Sequence, residues 1–92
     1  MKVKFSKQSF NFLESLDRSK RERIRIKIKK LADMVNEQGL IPFRELQIKA
    51  LEGAWKGFMR MRAGKIRIIF RIDRGQGEIF IYEIDCRGEV YK

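Results

Sequence analysis

The spacing of apolar side chains changes period along the chain. Residues 1–5 alternate, with Val3 and Phe5 on one side, which predicts a short strand. Ser6 suits the cap of a following helix that carries Phe10, Leu13 and Leu16, each three apart. Asp17 and Arg18 interrupt that pattern. Residues 24–30, IRIKIKK, alternate as an amphipathic strand would. The longer stripe of Ile24, Ile28, Leu31 and Val35, with Met34 close beside it, has the helical period instead. Ser19 followed by Glu22 fits a capping box, and Gly39 suits the helix stop. A second helix is therefore predicted, with Ile26 left on its far side.

Residues 39–57 keep no regular period. Ile41, Pro42 and Phe43 read as extended chain, Leu46 and Leu51 as anchors, and Gly53 and Gly57 bracket Trp55. From Phe58 the period is two. Met59, Met61 and Ala63 fall on one face, with Arg60 and Arg62 on the other. After a tight turn at 63–65, Ile66, Ile68, Phe70 and Ile72 alternate with Arg67, Ile69 and Arg71. A second turn at 73–77 leads into a strand over 78–84, where Ile79 and Ile81 oppose Phe80 and Tyr82. Three strands joined by short turns predict an antiparallel meander. The expected fold is α+β: two N-terminal helices packed on a small antiparallel sheet, in the order β-α-α-β-β-β, with room for a short strand at 89–91. Residues 1–92 read as one domain without repeat or linker.

Charge changes this picture most. The net charge is +10, with 37% charged and 43% hydrophobic residues, well beyond what solubility needs. Such a field favours nucleic acid, an acidic protein partner or an anionic membrane surface. No apolar run approaches the ~18 residues of a membrane span, and the N-terminus lacks the apolar stretch of a secretory signal. One cysteine and no histidine leave no disulfide framework or cysteine-only metal site, and remove the commonest neutral-pH acid-base. A cytoplasmic protein without metal or cofactor is the plain reading.

The basic residues concentrate where the strands lie. Lys56, Arg60, Arg62, Lys65, Arg67 and Arg71 occur with no acidic residue between Glu52 and Asp73. Arg60 and Arg62 share one side of a strand, and Arg67 lies across the turn from them. Guanidinium forks match phosphate oxygens, so the cluster suits phosphate binding; a merely solvated basic face is the alternative. Glu83 and Asp85 are expected to pair with nearby arginines rather than hold a metal. In the tail DCRGEVYK, Arg87 stands four residues before Tyr91. Arginine there can stabilise charge building on phosphorus, and tyrosine can stack on a base or move a proton, although packing also accounts for a terminal tyrosine. Trp55 is expected to cover the end of the core, with base stacking as the alternative, and Cys86 to be buried.

The stretch LEGAWKGFMRMRAGKIRIIF, followed by CRGEVYK, resembles the RelE/ParE toxin superfamily, in particular its RelE-like branch. The likeness covers roughly residues 50–92 and rests on LEG, R-x-R, G-x-x-R-I-I-F and R-G-E-V-Y together. It implies a toxin of a type II toxin–antitoxin system that enters the ribosomal A site and cuts the messenger without metal. By that resemblance Arg60 and Arg62, with Lys56 and Lys65 nearby, contact RNA. Arg67 stabilises the transition state, Arg87 matches the arginine of archaeal-type relatives, and Tyr91 orients or activates the attacking 2′-hydroxyl. Asp85 stands where the best-known bacterial form carries an arginine. The resemblance also implies an adjacently encoded, acidic antitoxin, for which Ile26 is a candidate contact. Two other functions fit the same chain: a ParE-like gyrase inhibitor, and a noncatalytic RNA- or ribosome-binding module.

Overall fold

A computed structural model describes residues 1–86 of the chain. Its elements are β1 (Lys2–Phe5), α1 (Lys7–Ser15), α2 (Arg18–Gln38), β2 (Lys49–Ala50), a 3-10 turn (Gly53–Trp55), β3 (Met59–Ala63), β4 (Ile66–Asp73) and β5 (Glu78–Cys86). The order matches the α+β expectation, with the two-residue β2 added inside the segment read as irregular. The sheet runs β1-β5-β4-β3-β2. β3, β4 and β5 form the antiparallel meander, and β1 joins β5 in parallel. The sheet is therefore mixed, not purely antiparallel. The parallel pairing follows from the two helices, which carry the chain between the edge β1 and the meander. The strand foreseen at 89–91 lies outside the described residues.

Each helix starts on a side-chain cap. Ser6 accepts from the Ser9 N–H at 3.1 Å. At α2 the cap is Asp17, which accepts from the Lys20 N–H at 2.9 Å. The capping box expected at Ser19 is thus corrected: the helix begins one residue after the aspartate, and Ser19 already lies in its first turn. A carboxylate at that end also meets the positive pole of the helix dipole. Gly39 ends the helix at φ 69°, donating to the Val35 carbonyl at 2.9 Å. A side chain at that backbone angle would be strained.

The alternating apolar face of the meander packs beneath the helices. Met61, Ile68, Phe70, Ile79, Ile81 and Ile84 are fully buried, as are Ile24 and Leu31 from α2. Leu13, Ile28 and Val35 join the same cluster, at roughly 1.5–3 kcal/mol of favourable burial for each large side chain. Among the described residues no helix covers the opposite face of the sheet with a comparable buried cluster, and the arginines lie there. Phe70 occupies the core as expected. Trp55 does not: it is 36% exposed and contacts Phe58 and Tyr82 instead of the core cluster. Cys86 is half-buried rather than buried, in register with Ile66.

One irregularity decides which residues share the arginine face. Ile69 pairs with Glu83 and Phe70 with Ile81, so Tyr82 is an extra residue on β5. This bulge shifts the alternation by one. Ile79 and Ile81 point to the core before it, and Ile84 does so after it. Without the bulge, Glu83 and Asp85 would continue the inward series. With it, both carboxylates emerge on the open face.

The start of α1 holds the bulge. The Ser9 hydroxyl, fully buried, lies 3.1 Å from the Ile81 carbonyl, and the Ser6 hydroxyl donates to the Tyr82 carbonyl. Beyond Phe5 the chain has left the sheet, so β1 offers Ile84 no main-chain partner. The Gln8 side chain takes that place. Its amide donates to the Ile84 carbonyl at 2.8 Å and accepts from the Ile84 N–H at 3.0 Å.

Candidate phosphate-binding face

The open face is arranged in cross-strand rungs. Arg62 on β3 stands opposite Arg67 on β4, which stands opposite Asp85 on β5. One rung further, Lys49 on β2 pairs with Arg60, Arg60 with Ile69, and Ile69 with Glu83. Two like-charged pairs therefore sit directly across strands, Arg62 with Arg67 and Lys49 with Arg60. Such pairs are destabilising. Lys49 is invisible to sequence reading because its relation to Arg60 depends on a two-residue strand with no hydrophobic alternation.

Part of this repulsion is offset within the chain. Asp85 grips Arg67 in a fork, accepting from Nε at 3.2 Å and from Nη2 at 2.8 Å. Their side chains are 19% and 18% exposed, so the pair is mostly withdrawn from water. A bidentate pair fixes the guanidinium plane as well as its position. It uses two of the five N–H donors an arginine carries. The expected acid–arginine pairing at Asp85 is present, and Asp85 serves to hold Arg67. Arg62 contributes a further donor: its Nε is buried and meets no acceptor among the described residues.

Glu83 is the titratable group of this face that sequence reading undervalued. Burial pushes its carboxyl above the ordinary value of 4.5, and the hydrogen bond and negative charge of Asp85 push the same way; the Arg67 cation opposes them. A carboxyl biased toward its neutral form thus stands next to the Asp85–Arg67 pair. Ile69, between Arg60 and Glu83, is buried although it lies outside the main core cluster. The pattern of two does not reveal an acid at this spot, because the bulge sets its direction.

The other expected site residues are distributed. Lys56 is exposed and follows Trp55 at the end of the 3-10 turn. Lys65, in the β3–β4 turn, lines a cleft of about 480 Å³ with Lys20, Arg23 and Cys86, against the start of α2. Ile26 is 61% exposed on α2, as expected. Arg87 and Tyr91 lie outside the described residues. Among those residues no group of three or more His, Cys, Asp or Glu side chains is arranged to hold a metal. No described helix is long and apolar enough to cross a membrane.

Comparison with known proteins decides the family. The model of the ParE toxin of type II toxin–antitoxin systems (parDE) matches residues 3–91. The chain belongs to this toxin family. That membership sets the toxin within the RelE/ParE superfamily indicated by its strand and tail motifs. Its fold is shared with a chain of an archaeal RelE–RelB complex from Pyrococcus horikoshii OT3, at 25% identity, TM-score 0.70 and 96% coverage of both chains. A RelB–RelE antitoxin–toxin complex from Methanococcus jannaschii gives 21% identity and TM-score 0.71, covering 98% of the toxin and 96% of that chain. A YoeB/ParE toxin from Agrobacterium tumefaciens gives 17% identity and TM-score 0.69, with 94% and 98% covered. No curated protein matches the sequence.

Proposed function

We propose that the toxin is a metal-independent endoribonuclease that cuts messenger RNA in the ribosomal A site. The observation that carries this reading is the Arg62–Arg67–Asp85 rung, an arginine locked in orientation beside a second arginine on a sheet face left open by the helices. In the proposed reaction the nucleotide's own 2′-oxygen bonds to the adjacent phosphorus and the bond to the 5′-oxygen breaks. The 2′-hydroxyl loses a proton and the departing 5′-oxygen gains one, leaving a cyclic phosphate and a 5′-hydroxyl. Negative charge grows on the phosphoryl oxygens during the step, and Arg67 is oriented in advance to meet it. Arg60, Arg62 and Lys56 bind flanking phosphates, with Lys65 at the margin. Arg87 adds positive charge, and Tyr91 orients or activates the 2′-hydroxyl. The ribosome supplies alignment of the messenger, which makes cleavage of free RNA slow.

Membership in a type II family, and the antitoxin–toxin complexes among proteins of the same fold, support a cognate antitoxin as partner. An acidic antitoxin would complement the +10 chain, with Ile26 as one contact. The toxin acts as one domain, residues 1–92, in the cytoplasm. A second reading, inhibition of DNA gyrase, is favoured by the ParE description of the matching family. Primer extension on a defined messenger in a purified translation system separates the two. Cuts confined to the A site and lost in Arg67→Ala are expected. Translation that proceeds uncut with folded wild-type protein, together with blocked DNA supercoiling, would overturn the nuclease reading.

A further inference from the structure

Beyond the arginine rungs, the open face ends in exposed aromatic rings. Trp55, Phe58 and Tyr82 meet edge to face in a three-way cluster, with centroids 5.5 Å, 5.5 Å and 5.4 Å apart. Phe80 extends it at 6.0 Å from Tyr82. The Arg71 guanidinium lies 5.7 Å from the Phe58 centroid and 5.5 Å from that of Phe80. Trp55 and Tyr82 are 36% and 42% exposed. The bulge explains why Tyr82 is available: it is the unpaired residue of β5, outside the register that buries Ile81 and Ile84. Large rings in water on a small protein mark a contact surface, and the charge around them selects its occupant. The cluster is bordered by Lys56 and Arg71 and lies on the sheet face that carries Arg60, Arg62 and Arg67, so an anionic ligand with flat apolar groups fits it.

We propose that Trp55 and Tyr82 form a stacking platform for unpaired bases of a single-stranded RNA whose phosphates run along the arginine rungs. Arg71, already seated between two rings, is the cation that meets the backbone at this end. Arg67 and Arg71 are four residues apart on one strand, roughly 14 Å at ~3.4 Å per residue. That is the rise of about four stacked nucleotides at ~3.4 Å each. The platform thus engages bases a few nucleotides from the phosphate held at Arg67. Stacking of this kind tolerates any base, because every base has a π-face. The inference rests on the RNA reading of the arginine face and extends it to a second contact.

Trp55 is the chain's sole tryptophan, which makes the test direct. A short 2′-O-methyl oligouridylate, which lacks the attacking hydroxyl and cannot be cut, is titrated into the wild-type toxin while tryptophan emission is followed. Saturable quenching is expected, with affinity that falls as salt rises. Tyr82→Ser, an exposed change that leaves the probe in place, is expected to weaken binding about tenfold; Trp55→Phe, followed instead by the anisotropy of a fluorescein-labelled copy of the oligonucleotide, is expected to retain most of the affinity. Binding without quenching, and undiminished in Tyr82→Ser, would overturn the platform and leave the rings to a protein partner. Absence of binding would overturn it as well. Failure of the nuclease reading shows separately, in the A-site cleavage assay.

Discussion

At the scale of single residues, the open face is governed by how Asp85 and Glu83 divide one arginine. Asp85 takes the Arg67 fork. Glu83, hydrogen-bonded to Asp85 and partly buried, is held above its ordinary 4.5. The consequence for stability has a definite sign. As pH rises through the window from 4.5 to the higher folded-state value, the unfolded chain has released the Glu83 proton while the folded chain still holds it. Stability contributed by the protonated form is present below that window and is lost across it. Glu83→Gln keeps a donor to Asp85 without the charge. Its melting temperature is expected to change less between acidic and neutral pH than that of wild type, and to lie above it at neutral pH. Parallel pH dependences would refute this account of Glu83.

At the scale of elements, the connection between α1 and β5 does more than cap a helix. Gln8 acts as a surrogate strand, satisfying both main-chain groups of Ile84 where β1 has ended. Ser6 and Ser9 hold the carbonyls of Tyr82 and Ile81 on the other side of the bulge. Asp85 follows directly after Ile84. The geometry of the Arg67 fork therefore depends on a helix that never touches the arginine face. Gln8→Ala leaves the Ile84 groups without this partner and is expected to cost about 1–3 kcal/mol in chemical denaturation. Faster amide exchange at Ile84 is expected to accompany it. A stability loss with unchanged exchange there would place the role of Gln8 elsewhere.

At the scale of the whole molecule, each ion pair joins one cation to one anion, so pairing leaves the net charge at +10. Mutual repulsion opposes compaction, and salt relieves it. The isolated toxin is expected to melt higher at physiological ionic strength than at low salt. Addition of a polyanion should produce the same shift at lower ionic strength. A melting temperature that falls with salt would mean that the ion pairs outweigh the repulsion.

The sequence by itself determined the apolar framework. The stripe from Ile24 to Val35 can face only one side of a helix, and the alternation from Met59 to Phe70 can bury only one face of a hairpin. The two helices, the meander, the outward arginines and the motifs of the family were legible for that reason. The helix start was legible only within two residues, because Asp17 and Ser19 are both cap-forming types and only main-chain geometry distinguishes them. Tertiary structure decided the rest, since it turns on contacts between residues far apart in the chain. Parallel pairing of β1 with β5, the placement of Lys49 beside Arg60, and the outward position of Trp55 leave no periodic signal. The bulge at Tyr82 matters most. Strict alternation from Ile79 and Ile81 would carry Glu83 and Asp85 into the core, where neither charge is tolerable. One extra residue, held by Ser6, Gln8 and Ser9 from the start of α1, turns both acids outward and brings Asp85 to Arg67.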